Sequence, residues 1–107
     1  MFYVNGVAFD LNYEKPNSRK LMRSNGTYAL GCTDLNSHKV YINNKLKGKM
    51  FDKVLCHELV HCFCLAYNYI LDVQTEEICA DFLSTYGREV FNVADDILFR
   101  MVGVKYG

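Results

Sequence analysis

Two histidines four residues apart, with a glutamate directly after the first, constrain this chain more than any other feature. They lie in Cys56-His57-Glu58-Leu59-Val60-His61-Cys62. In a helix, His57 and His61 share one face, one turn apart, with roughly 5–6 Å between their Cβ atoms. Two imidazoles at that spacing can grip one metal ion. Glu58 is rotated from them by one residue, so its carboxylate can lie beside the ion without binding it and take a proton from a water that the ion activates. This is the H-E-x-x-H pattern of metal-assisted hydrolysis. Phe51, Val54, Leu55, Leu59, Cys62, Phe63 and Leu65 surround most of a helix from about Met50 to Tyr67, which predicts a buried helix. Polar groups on such a helix are costly unless partnered, which favours a metal site over a solvated face.

The 107 residues are expected to form one domain, 1–107, around one modest core. Half are apolar and 22% charged, the balance of a soluble globule rather than a disordered chain. There is no apolar run of membrane-span length and no basic, then apolar, leader pattern at Met1–Gly6, so a cytoplasmic protein without membrane partners is expected. The five cysteines are odd in number and include no Cys-x-x-Cys pair. They are therefore read as free thiols in a reducing compartment, not as a disulfide framework or zinc ribbon. Net charge is zero, yet residues 1–50 hold eight Lys/Arg against three acids and residues 51–107 hold four against nine. Complementarity between the two halves explains this, although Lys45, Lys47, Lys49 and Lys53 would also suit an acidic partner segment. Without a basic net charge, nucleic acid is not an expected partner.

Along the chain, Asn5-Gly6 between Phe2-Tyr3-Val4 and Val7-Ala8-Phe9 predicts a tight β-hairpin. Residues 12–25 turn polar, with Ser18 placed to cap one or two helical turns through Arg23. Two β-rich runs, Thr27–Thr33 and His38–Asn43, read as an antiparallel pair, and the alternation in the second predicts a half-solvated sheet. After the motif helix, residues 68–74 read as a loop. Thr75 reads as the N-cap of a helix that ends at Gly87. A last helix, about Arg88 to Val102, places Val90, Phe91, Ala94, Ile97, Leu98 and Met101 on one face and exposes Asp95 and Asp96; its expected role is packing.

The order strand, strand, His57-Glu58-Leu59-Val60-His61 helix, then Glu76-Glu77-Ile78-Cys79-Ala80-Asp81 opening another helix resembles the zincin metallopeptidases of the glutamate-ligand type. It is most similar to the small ImmA/IrrE family of phage and mobile-element proteins. The resemblance covers roughly Gly31 to Gly87, just over half the chain. It implies an α+β, minimal zincin-like domain, with a small, mostly antiparallel sheet packed against about three helices. It also implies Zn2+ held by His57, His61 and Glu77, with Asp81 supporting a zinc-bound histidine. The implied activity is cleavage of a protein or peptide partner, often a transcriptional repressor. Cys64 and Tyr67 stand where a metzincin would carry Gly and a third histidine, so that subclass is disfavoured.

The choice between adjacent Glu76 and Glu77 follows from helix geometry: their side chains diverge by about 100°, so only one can face the ion. Asp81 shares the face of Glu77, whereas Glu76 has Ala80 at the same offset and is expected to meet solvent. Glu76 is the first alternative for the third ligand, followed by Cys64, Asp72 or a water. In the expected mechanism Glu58 is the catalytic base. The oxyanion donor stays open among Tyr28, Tyr41, Tyr67, Tyr69 and His38, and an extended substrate is expected along the strand His38–Asn43. The rival reading is a non-enzymatic regulatory or binding module, whose structural metal site would be closed by Cys64 as a fourth ligand.

Overall fold

The computed structural model describes residues 1–106, with side chains through Met101. Strand β1 (Phe2–Val4) turns back on β2 (Val7–Glu14), with Val4 paired to Val7. The intervening Asn5 and Gly6 both have positive φ, 47° and 77°, which is the tight hairpin that Asn-Gly favours. Strand β2 runs further than its polar residues suggest, because Asp10 to Glu14 pair in parallel with β4 (Lys39–Asn43). Ser18 caps a single 3-10 turn, Arg19–Leu21, by accepting from the Lys20 amide at 3.1 Å. Strand β3 (Gly31–Asp34) then pairs antiparallel with β4. The sheet is thus mixed, in the order β1-β2-β4-β3, with two antiparallel pairings and one parallel.

This order corrects the half-solvated reading of residues 38–43. Strand β4 is interior, with a neighbour on each side, and so is no edge for a substrate. Val40 and Ile42 are fully buried on one face. Tyr41, on the other, is buried too, with the Lys20 ammonium 5.5 Å from its ring centre. The exposed edge beside the motif helix is β3 instead.

Helix α1 (Gly48–Ala66) carries the motif and lies on the sheet. Its Cys62 joins Val4, Phe9, Val40 and Ile42 in the core, with Phe51, Val54 and Leu55 packed around them. The helix ends where Asn68 turns left-handed (φ 53°), a common stop, and Asn5 Nδ2 donates to the Ala66 carbonyl at 3.0 Å. Contrary to expectation, α1 is not enclosed. Phe63, Leu65 and Tyr67 are exposed, because only the sheet and one helix pack against it.

That helix, α2 (Val73–Tyr106), is a single element where two were expected, so the described residues form two α-helices rather than three. Its cap is Asp72, not Thr75: the carboxylate accepts from both the Thr75 amide and hydroxyl at 2.8 Å. The Thr75 hydrogen bonds hold the Asp72 carboxyl below the usual carboxylate range. Gly87 does not terminate the helix: its φ is not positive, and the helix continues through Tyr106. Arg88 also ties the helix to α1, its guanidinium 2.8 Å from Asp52 Oδ1. The two helices run antiparallel, with His61 beside Glu76 and Asp52 beside Arg88. Since a 34-residue helix is about 51 Å long, α2 sets the long axis of the 58 × 29 × 27 Å molecule.

A continuous helix at Gly87 carries a stability consequence. A Cβ there would approach nothing closer than Leu83 Cδ2, at 3.5 Å. Gly87→Ala is therefore expected to stabilise the protein by about 0.5–1 kcal/mol in urea unfolding. A loss of stability would show that the helix breaks at this residue.

Candidate metal centre

Because α1 crosses α2 antiparallel at the motif, the one face of α1 that holds both histidines meets the first two turns of α2. His57 Nε2 lies 3.3 Å from Glu77 Oε2, and His61 Nε2 lies 2.8 Å from Glu77 Oε1. The ring centres are 5.2 Å apart. One ligand atom from each of His57, His61 and Glu77 can be chosen so that all three lie within 4.8 Å of one another. The spacing that places both histidines on one face therefore also delivers them to a common carboxylate.

The other ring nitrogens fix the chemistry of this convergence. His57 Nδ1 is 2.9 Å from Asp81 Oδ1, and His61 Nδ1 is 2.5 Å from Glu76 Oε2. An ionised carboxylate can only accept, so each Nδ1 carries a proton, and a ring with no second proton turns its Nε2 lone pair toward Glu77. Lone pairs then face carboxylate oxygens, acceptor against acceptor. Either a second proton on each ring or a cation between them resolves the conflict. Two imidazolium rings so close would repel, whereas one divalent ion accepts all three lone pairs. Three carboxylates, Glu76, Glu77 and Asp81, also surround the two rings, and that excess of negative charge favours a cation further. The donor set, two imidazoles and a carboxylate, fits zinc and leaves a coordination position open.

Glu58 sits apart from this cluster, as its rotation on the helix requires. It is 6% exposed and faces β3, where Thr33 Oγ1 donates to its Oε1 at 2.8 Å. Burial pushes its carboxyl up; the Thr33 hydrogen bond and the two histidines oppose this, and Glu77 adds to it. Gly31 makes room for the side chain, since a Cβ there would stand 2.7 Å from Val54 Cγ1 and 3.1 Å from Glu58 Cγ. One turn on, Cys62 lies in the core, where burial first and Glu58 second push its thiol up to about 12 and leave it unreactive. All five cysteines are free, as expected.

The histidines, Glu58, Glu77 and Asp81 all line one cleft of about 1070 Å³, with β3 along one side. Of the sequence assignments, Glu76 needs correction. It does not meet solvent: its side chain is 18% exposed and grips His61. Both histidines thus have a supporting carboxylate, one on either side of Glu77. None of the tyrosines considered as oxyanion donors lines the cleft, nor does His38, whose ring packs tilted against Phe9. The cleft holds two cations that the sequence reading did not assign to it, Arg23 and Lys53. Cys64 lies beside Glu76 and Cys79, outside the group of three ligands. Burial and Glu76 raise its thiol. No family model, curated protein or solved structure matches the chain significantly.

These contacts make two predictions. Asp81→Ala and Glu76→Ala should each weaken zinc binding about 10–100-fold in competition titrations, since each frees one ring to rotate. An unchanged affinity for Glu76→Ala would mean that the His61 contact does not orient the ring. The second concerns pH. The raised Glu58 carboxyl means that the native state holds its proton better than the unfolded chain, so its contribution is full below about 4.5 and is lost as pH rises through the raised value. In chelator-treated protein, Glu58→Gln should therefore gain stability relative to wild type as pH rises from 4.5 to 8. A gap that narrows over that range would contradict the assignment.

Proposed function

We propose that the chain is a zinc-dependent metallopeptidase that hydrolyses a peptide bond in a protein partner, with His57, His61 and Glu77 as the metal ligands. The observation that carries this reading is the meeting of two Nε2 lone pairs and a carboxylate, beside a buried glutamate that is not a ligand. When bound, zinc would supply a water activated near neutral pH and polarise the scissile carbonyl. Glu58 would accept a proton from the attacking water and pass it to the leaving amine. Its raised carboxyl suits it to hold a proton between the two steps. Thr33 fixes its orientation, and Asp81 and Glu76 fix the tautomers of the two rings. The exposed edge of β3 borders the cleft and offers main-chain groups to an extended peptide. A transcriptional repressor as the substrate follows only from the resemblance to the ImmA/IrrE family.

A structural zinc site in a binding module would be closed by a fourth protein ligand. Cys64, the one candidate for that position, stands outside the group of three, so the open site favours the enzyme. The test is digestion of a peptide library derived from a bacterial lysate, with new termini read by mass spectrometry. Zinc-loaded wild type is expected to generate cleavages that chelator abolishes. Glu58→Gln should retain zinc and lose about 10²–10⁴ in rate. Equal cleavage by wild type and Glu58→Gln would overturn the assignment of the base.

A further inference from the structure

The cleft differs from one end to the other, and its two cations stand at the same end. A Cβ on Gly31 would lie 2.7 Å from Val54 Cγ1, and Thr33 Oγ1 donates to Glu58 Oε1 at 2.8 Å, so β3 and α1 advance in the same direction along the cleft. Lys53, next to Val54 and one turn before His57, is thereby set at the Gly31 end, with its Cβ about 5–6 Å from that of His57. Arg23 reaches this end from the loop before β3. Its amide donates to the Thr27 carbonyl and the Ala29 amide to the Leu21 carbonyl, both at 2.7 Å, which folds the loop back beside the residues that lead into Gly31. The opposite end, past Thr33 and His61, is apolar and lined by Leu35, Leu71 and Val73. Both cations are exposed, and among the described residues neither forms an ion pair. The acids of the cleft are engaged elsewhere, Glu58 by Thr33 and Glu76, Glu77 and Asp81 by the histidines. After Asp81, the next α2 residue in the cleft is the neutral Ser84.

We infer that Lys53 and Arg23 form a subsite for an acidic side chain, so that the cleft takes peptides with Glu or Asp on one defined side of the scissile bond. This rests on the peptidase reading and adds the substrate class. A single exposed lysine is an ordinary surface residue. Two cations from separate segments that line one end of a cleft, while its acids are held by other partners, leave a positive potential that an anionic side chain relieves and a basic one worsens. The spacing fits a residue close to the reacting bond. Four residues of helix rise about 6 Å and an extended peptide advances about 3.3 Å per residue, so a peptide along β3 brings its second residue from the metal centre level with Lys53. The apolar end offers no such charge, which makes the selection one-sided. Lys53 and Arg23 thereby govern which peptides dwell over the metal centre and take no part in the chemistry.

Peptide hydroxamates test this, because a hydroxamate chelates zinc and anchors the adjoining residues whether or not any bond is cleaved. Two series are titrated calorimetrically into the zinc-loaded full chain, one with the hydroxamate at the peptide's C-terminus and one with it at the N-terminus, each carrying Glu, Gln or Lys two residues away. In one series only, Glu is expected to bind about fivefold tighter than Gln, and Lys more weakly than either. Lys53→Glu should invert that order, and Arg23→Glu should narrow the Glu preference. Chelator-sensitive binding with no preference in either series, or with equal preference in both, would overturn the subsite and leave the metal centre standing. So would a Glu preference that survives Lys53→Glu and Arg23→Glu together. Hydroxamates without any chelator-sensitive binding would refute the metal centre and the subsite with it.

Discussion

The antiparallel contact between α1 and α2 is the constraint on which the rest of the structure depends. It brings a row of two imidazoles against a row of three acids, Glu76, Glu77 and Asp81, and sorts the acids by reach. Glu77 meets both Nε2 atoms, while its neighbours take one Nδ1 each. The outer hydrogen bonds decide what the inner atoms can do. With both Nδ1 protons committed to carboxylates, a ring that gains no second proton leaves its inner nitrogen as a base aimed at an anion. Such an arrangement is unfavourable on its own and favourable around a cation. Asp72 and Arg88 secure this contact from either side, Asp72 by capping α2 and Arg88 by tying it to Asp52.

The sheet has a second task, which is to hold Glu58 beside the His57, His61 and Glu77 group but apart from it. Helix α1 lies on the sheet through Cys62 and Val54, so the face that carries Glu58 is turned toward β3. There Thr33 supplies one hydrogen bond, and Gly31 supplies space where any Cβ would collide. A buried carboxylate with a single hydroxyl partner is a poor source of stability and a good proton acceptor. One helix therefore presents His57 and His61 on one face and Glu58 on the next. The division follows from 3.6 residues per turn and from which neighbour each face meets.

Much of this site is legible in the sequence because it depends on local periodicity. His57, Glu58 and His61 need only a helix to acquire their relative positions, and Asp81 needs only to share a face with Glu77. The Asn5-Gly6 hairpin was equally plain, since its turn geometry is set by two residues. Glu76 was misread because its role depends on where α1 crosses α2, a tertiary fact that no spacing within α2 reveals. The interior position of β4 was hidden for a similar reason: its parallel partner is the polar stretch Asp10–Glu14, which carries little strand signal in its side chains. Gly87 misled because glycine ends a helix only when it adopts positive φ, and here the neighbouring residues and the Arg88–Asp52 pair carry the helix through it. Misreading α2 as two helices in turn suggested a packed role for residues that stand exposed.

The central claim is that two imidazoles and one carboxylate hold the metal, with a position left open. X-ray absorption at the zinc edge of the loaded protein tests it most directly. The expected spectrum has two imidazole nitrogens at about 2.0–2.1 Å, completed by oxygen ligands at about 2.0–2.2 Å, and no sulfur. A sulfur shell at about 2.3 Å would contradict it, because Cys64 or another thiolate would then close the site and make it structural.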